Sequence, residues 1–221
     1  MDMHVHSRYS VDAVTDPRTI VRCWQKSGVL PLVCDHDTVA GSRAVFGSIR
    51  SKDPDIPEIL AAEISTARGE IIGAFLTEDI PAGLSPSETV DRIHGQGGIA
   101  IIPHPFCSFR KSALDPEALH EIIDRIDAVE GYNGRISLES DNTRAREYGT
   151  RHGRCITVGS DAHTPLELGR TLVEMSPFDD PRGFIRALRS GTVRCRAAPP
   201  GVRSLSRTVR RVRTLPVPLN K

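Results

Sequence analysis

The sequence predicts an α/β protein with a mainly parallel sheet, and three observations carry that expectation. Segments with helix start and stop signals recur along the chain. Between them lie short apolar runs that are continuous rather than alternating, as in strands buried on both faces. The two kinds of segment alternate almost throughout, which favours a parallel sheet, open or closed into a barrel.

Taken in order, the chain opens with "MDMHVHSRYS", an apolar-alternating run that carries His4 and His6 one residue apart. "DPRTIVRCWQKSG" starts at Asp16-Pro17 and stops at Gly28, the signature of a capped helix. "VLPLVC" reads as a strand, although Pro31 inside it predicts an edge position or a shorter element. "EILAAEI" and "EIIGAFL" are further strand candidates, and "SPSETVDRIHGQGG" is a helix with Ser85 or Ser87 as its cap. "GGIAIIPH" is followed by "LDPEALHEIIDRI", where Asp115 precedes Pro116 and Leu119, Ile122 and Ile123 share a face. The strand "IDAVEGY", the helix "LESDNTRAREYGTRHG", the strands "RCITVGS" and "TLVEM" and the helix "DDPRGFIRALRSG" complete the pattern, with no internal repeat.

The 221 residues suit one large domain better than two small ones, expected over residues 1–200. A formal net charge of +1 argues against nucleic-acid binding across the whole surface. Five cysteines without a C-x-x-C pair predict a reduced, intracellular protein, and the charged start lacks the apolar segment of a signal peptide. The expected location is cytoplasmic. No apolar run approaches the roughly 20 residues that span a bilayer. From Gly201 to Lys221 the chain holds six basic residues and no acid, so it is expected to be a tail or peripheral segment. Val202, Leu205, Val209 and Val212 recur there at helical spacing. An amphipathic arm for nucleic acid or an anionic surface is one reading; a strand or frayed tail packed on the barrel is the favoured one.

Several apolar runs end in residues that bind metals: His4 and His6, Asp35-His36-Asp37, Glu63, His104, Glu130, and Asp161-Ala162-His163. In a parallel barrel the C-terminal strand ends share one mouth. Residues i and i+2 of a strand lie roughly 7 Å apart on one side. Two imidazoles binding one ion at about 2 Å must therefore lean together at a bent strand end. A lone His-x-His is weak, a His-Pro is ordinarily a loop, and Glu63 could simply cap the next segment. Their joint placement is the signal, because so many buried acids and imidazoles without a cation would be costly. All donors are nitrogen or oxygen, which suits zinc, manganese or iron(II). His94, His120 and His152 fall in helical segments and are expected at the surface. Cys34 and Cys107 read as core or rim residues.

The stretches "DMHVHSRYSVDA", "CDHDTVAG", "AAEIS", "IIPHPF", "VEGYN" and "GSDAHT" run from residue 2 to about residue 170, and in their order the chain resembles the PHP family, the polymerase and histidinol phosphatase metallohydrolases. The resemblance implies a distorted barrel of seven strands whose mouth holds two or three divalent ions. It implies that His4, His6, Glu63 and Asp161 hold the first ion, that Glu63 bridges to a second held by His104, and that Asp12, His36 and His163 hold a third. Asp12 is matched with a shift of one residue. Glu70 stands where relatives often carry a histidine, so a carboxylate either takes that ligand position or leaves the second ion weakly held.

The chemistry implied is hydrolysis of a small phosphomonoester, a nucleotide or a sugar or amino-alcohol phosphate, by a metal-activated hydroxide. Arg110, with Lys111 less favoured, would hold phosphate through a guanidinium fork. Asp35 or Asp37 would orient the His36 imidazole, or Asp37 would protonate the leaving oxygen. Glu130 and Asn133 would line the mouth behind the ligands. A phosphodiesterase or 3′ nuclease uses the same metals, so nucleic acid stands as a less favoured partner. A non-catalytic metal-binding module is the third reading, kept open by Glu70. No serine or cysteine nucleophile signature is present.

Overall fold

The computed structural model describes residues 1–110 and 112–214. Seven strands form one sheet in chain order: β1 (Asp2–Val5), β2 (Pro31–His36), β3 (Ala61–Thr66), β4 (Gly69–Ala74), β5 (Ile99–Ile102), β6 (Ala128–Asn133) and β7 (Cys155–Gly159). All neighbours pair in parallel except β3–β4 and β4–β5. Beyond β7 the chain returns to β1. Val5 bridges Ala162 in parallel, and the His6 N–H donates to the Ala162 carbonyl at 2.8 Å. The sheet is thereby nearly closed into a distorted (β/α)7 barrel, and its seam brings the opening histidines against the Asp161 loop.

The helices are those the sequence predicts, with two additions. In α1 (Pro17–Ser27) the Asp16 carboxylate accepts from the Arg18 N–H, and Gly28 takes a left-handed φ of 70° that lets its N–H reach the Trp24 carbonyl. For α3 (Pro86–Gly95) the cap is Ser85, in a reciprocal pair with Glu88. Asp115 caps α4 (Pro116–Ile122), which runs into a 3-10 turn, and α5 (Glu139–Arg151) and α6 (Pro181–Arg189) follow. The first addition is α2 (Ala40–Arg50), which has no side-chain cap and a small-residue sequence without start signals. The second is α7 (Val202–Arg213), in the basic segment.

Three expectations are corrected. Pro31 begins β2 and its strand lies between β1 and β3; as first residue its missing N–H costs no ladder bond. "TLVEM" does not join the barrel: β8 (Leu172–Glu174) pairs only with β9 (Thr192–Arg194) in a separate ribbon. The basic segment is neither a strand nor a frayed tail over residues 202–213 but a helix, α7 (Val202–Arg213); residues 215–221 of that segment lie outside the described residues. Its valine–leucine stripe buries only in part: Val202 is buried and Val209 half-buried, whereas Leu205 and Val212 are exposed, and Ser206 is buried beside them. Among the described residues no helix is long and apolar enough to cross a membrane.

Strand parity sets what faces inward. Ile64, Ile71, Ile102 and Val129 pack with Val90, Ile93, Leu119 and Ile122 of α3 and α4, on the outer side. Leu32, Cys34, Ala61, Ile72, Ile101 and Ala128 form a second cluster on the opposite, interior side. Each buried Leu, Ile or Val among them contributes about 1.5–3 kcal/mol. Two residues on from Cys34, Ala61 and Ala128, the same parity delivers His36, Glu63 and Glu130 to the interior at the mouth. Strand β4 runs the other way, so the mouth lies at its N-terminal end, and the position two before Ile72 is Glu70.

Candidate metal centre

Five imidazoles and four carboxylates converge at this mouth. His4 Nε2 and His6 Nε2 lie 3.1 Å apart, far closer than the strand spacing, because the β1–β2 register shifts between Asp2 and Val5 and the rings lean together. His6 Nε2 is 3.3 Å from Glu63 Oε2 and 3.5 Å from Asp161 Oδ1. His104 Nε2 is 3.0 Å from Glu63 Oε1 and 3.7 Å from Glu70 Oε2. His36 points one nitrogen at Glu63, 3.3 Å away, and the other at Asp12, 3.6 Å away. His163 Nε2 approaches the same Asp12 oxygen at 3.3 Å. The shifted Asp12 and the substituted Glu70 are thus both within reach of the cluster.

The outer partners fix which nitrogen faces inward. His4 Nδ1–H donates to Glu130 at 3.0 Å, and His163 Nδ1–H donates to the Asp161 carbonyl at 2.9 Å. Ser10 Oγ gives its proton to Asp35 at 2.7 Å and therefore accepts from His6 Nδ1–H at 3.0 Å. In each ring the Nε2 lone pair is left for the centre, the arrangement metal-binding histidines use. Glu130 is itself held by Asn133 and by the His104 N–H. Asp35 acts at one remove: its carboxylate accepts from the N–H and hydroxyl of both Ser7 and Ser10, which shapes the loop carrying Asp12. This Ser10–Asp35 relay spans 25 residues and had no local signature in the sequence.

The donors fit a cation. Asp12 Oδ1, Glu63 Oε2, Glu70 Oε2 and Asp161 Oδ1 are buried with no hydrogen-bond partner, and all four face imidazole nitrogens. Unpaired buried acceptors are costly unless a cation meets them. Three non-glycine residues around the mouth, Asp37, His104 and Asp161, have positive φ of 58°, 32° and 54°, a strain typical of functional sites. Arg110 donates to Asp161 Oδ2, which Asn133 also reaches at 3.1 Å, so Oδ1 stays free for the centre.

Asp37 is placed differently from the expected general acid. Its two oxygens accept from the N–H and hydroxyl of Ser65 at 2.6 and 3.0 Å, tying β2 to β3. Lys111 lies outside the described residues. Unforeseen in the sequence is Glu167, which accepts from the N–H groups of His163 and Thr164 and meets Arg135 at 3.0 Å, anchoring the Asp161–His163 loop. His94 and His120 sit at the surface, as their helical setting predicts.

In chelator-treated protein the cluster must carry protons where ions would sit. Burial works against the His6 imidazolium, but Asp161 and Glu63 outweigh it and push its pKa up to about 9. Burial and the neighbouring His6 charge bring His163 down to about 4. Burial, then the Glu63 charge, raises Glu70. A folded pKa above the unfolded 6.5 means that His6 stabilises the ion-free fold fully below pH 6.5 and loses that contribution as pH rises through 9. A binding ion must displace the same proton. Against the opposing effect of burial, neighbouring carboxylates raise His4 and His36 as well. Apparent metal affinity is therefore expected to rise at least tenfold per pH unit from pH 7 toward 9, read by competition with a chromophoric chelator. A flat profile would mean that the protonated imidazoles of the cluster are not the groups that bind the ion.

Comparison with known proteins agrees with this geometry. A family model described as PHP-associated matches residues 139–193. The uncharacterized protein MJ0417 of Methanocaldococcus jannaschii is 31% identical over 202 residues, 87% of this chain and 80% of that protein. A two-domain protein of Bacteroides vulgatus containing a predicted PHP-like metal-dependent phosphoesterase superposes with TM-score 0.65 at 17% identity, over 88% of this chain and 64% of that one. A lesion-specific endonuclease of Pyrococcus furiosus gives TM-score 0.59 at 18% identity, over 87% of this chain and 56% of its own. The chain thus spans less than two thirds of either solved structure, and both likenesses concern the fold.

Proposed function

The chain belongs to the PHP family, and from that premise we propose that it is a metal-dependent hydrolase of a small phosphomonoester. The observation that carries the reading is the set of four unpaired buried carboxylate oxygens facing the imidazoles. His4, His6, Glu63 and Asp161 would hold one divalent ion, Glu63, His104 and Glu70 a second, and Asp12, His36 and His163 a third. The all-N/O donor set suits zinc, manganese or iron(II). When bound, such ions polarise phosphoryl oxygens and lower the pKa of water toward about 7.

The protein's own part is to position and to exclude. The cleft above the centre has a volume of about 500 Å³, within the range of small-molecule sites. Arg110 lines it, with one arm of its guanidinium committed to Asp161 and the rest free to meet phosphoryl oxygens. Five free cysteines support a reducing compartment such as the cytoplasm.

Phosphate release from a panel of monoesters is expected with Mn²⁺ or Zn²⁺, to cease after chelation, and to return on adding metal. Replacing the guanidinium by Arg110→Ala is expected to lower kcat/KM about 100-fold, with Arg110→Lys in between. A second reading, cleavage of nucleic acid, is favoured by the likeness to the Pyrococcus furiosus endonuclease. Cleavage of a labelled oligonucleotide without release from any monoester would replace the first reading by the second. Neither activity at full metal occupancy would leave a metal-binding module.

A further inference from the structure

The helix α7 lies at the mouth of the cleft and is docked at both ends. Near its start, the buried Arg135 donates to Ser206 Oγ at 2.7 Å. At its end, Arg213 donates to the Ser10 and Ala13 carbonyls at 2.9 Å each, on the loop that carries Asp12. This fixes which face looks inward: Ser206, Arg207 and Arg210 line the same cleft as His36, Glu70 and His163. Arg207 and Arg210 are three apart, so their side chains lie side by side on the helix.

The other cleft guanidiniums each hold a carboxylate, Arg110 that of Asp161 through one arm and Arg135 that of Glu167. Among the described residues Arg207 and Arg210 have no ion pair, and α7 contains no acid that could neutralise them. Two exposed guanidiniums, without an ion pair among the described residues, thus stand on the wall of the cleft that also holds His36, Glu70 and His163, and such a pair suits an oxyanion. Resting on the phosphoesterase reading, we propose that α7 is the specificity wall of the cleft, and that Arg207 and Arg210 hold a second oxyanion of the substrate, a phosphate or carboxylate distinct from the phosphoryl group that is cleaved.

The test uses ligands that cannot turn over. Propylphosphonate, 3-phosphonopropanoate and propane-1,3-diphosphonate share a carbon–phosphorus end; the second adds a carboxylate and the third another phosphonate. Their Kd values are measured by calorimetry on the Mn²⁺-loaded full chain. The wild type is expected to bind at least one of the two-ended ligands about tenfold or more tightly than propylphosphonate, about 1.4 kcal/mol. The ratio is expected to fall within twofold of unity in R207A/R210A. It should persist in R211A, which removes one charge of the same helix outside the cleft lining. No preference in the wild type, a preference that survives R207A/R210A, or equal loss in R211A would overturn the proposal. Because no phosphate is released, a failed monoester assay would count against the hydrolase reading and leave this result standing.

Discussion

Glu63→Gln is expected to abolish hydrolysis, lowering kcat/KM by about 1000-fold or more, and to strip most of the bound metal. Glu63 sits at the centre of the cluster with no solvent exposure. One oxygen lies 3.0 Å from His104, and the other lies 3.3 Å from both His6 and His36 and 3.5 Å from His4. Among the described residues no other carboxylate lies within reach of four imidazoles. The substitution keeps volume and shape, yet it removes a negative charge and turns one acceptor into a donor facing nitrogen lone pairs. A thousandfold loss corresponds to about 4 kcal/mol of transition-state stabilisation, within what multinuclear sites supply. Elemental analysis should show lost metal, and circular dichroism should show the fold retained. A folded Glu63→Gln protein with wild-type metal content and turnover would dismiss the metal centre as described.

How much of this site was legible depended on how each residue is delivered. His4, His6, Glu63 and His104 stood at the ends of apolar runs, and parallel strands carry such ends to one mouth, so their meeting followed from one-dimensional pattern. Glu70 could be suspected only from its place after Glu63. The direction of β4 decides its fate, and nothing in "EIIGAFL" distinguishes an antiparallel hairpin strand from a parallel one. Asp37 misled for a related reason. A carboxylate beside a ligand histidine suggests an acid, but one residue further along a strand end the side chain leaves the interior, and Ser65 takes both its oxygens. Glu167 and Arg135 were silent because a buried ion pair 32 residues apart leaves no local trace. The helix α2 escaped because it has no side-chain cap and its buried stripe opens on Gly41 and Ser42, so that only Val45, Phe46 and Ile49 mark its period as apolar. The tail shows the converse: its helical period was visible, whereas the face that docks is set by Ser206 and two arginine anchors rather than by its valines.

The barrel seam gives the second large effect. Gly159→Ala is expected to destabilise the protein by about 3 kcal/mol and to disturb metal binding together with it. Gly159 ends β7 where β1 packs across the closure, and a β-carbon there would fall on the His4 β-carbon, 2.8 Å from its main-chain nitrogen and 3.0 Å from Glu130 Oε1. None of the three can yield cheaply. The His4 backbone is fixed by its bond to Ala162, and Glu130 is pinned by His4, His104 and Asn133. Overpacking that must move main chain sits at the upper end of the usual 1–3 kcal/mol. Gly47→Ala makes the contrasting case, since its β-carbon would meet nothing within 4 Å inside α2 and is expected to add about 0.5–1 kcal/mol. Denaturant melts of both variants, with metal and with chelator, separate the two causes. A methyl at the seam pushes His4 off the centre, so the stabilisation conferred by metal should shrink in Gly159→Ala and stay whole in Gly47→Ala. If Gly159→Ala kept the full metal-dependent increment, the closeness of the seam to the ligand pair would have no bearing on how the pair is held.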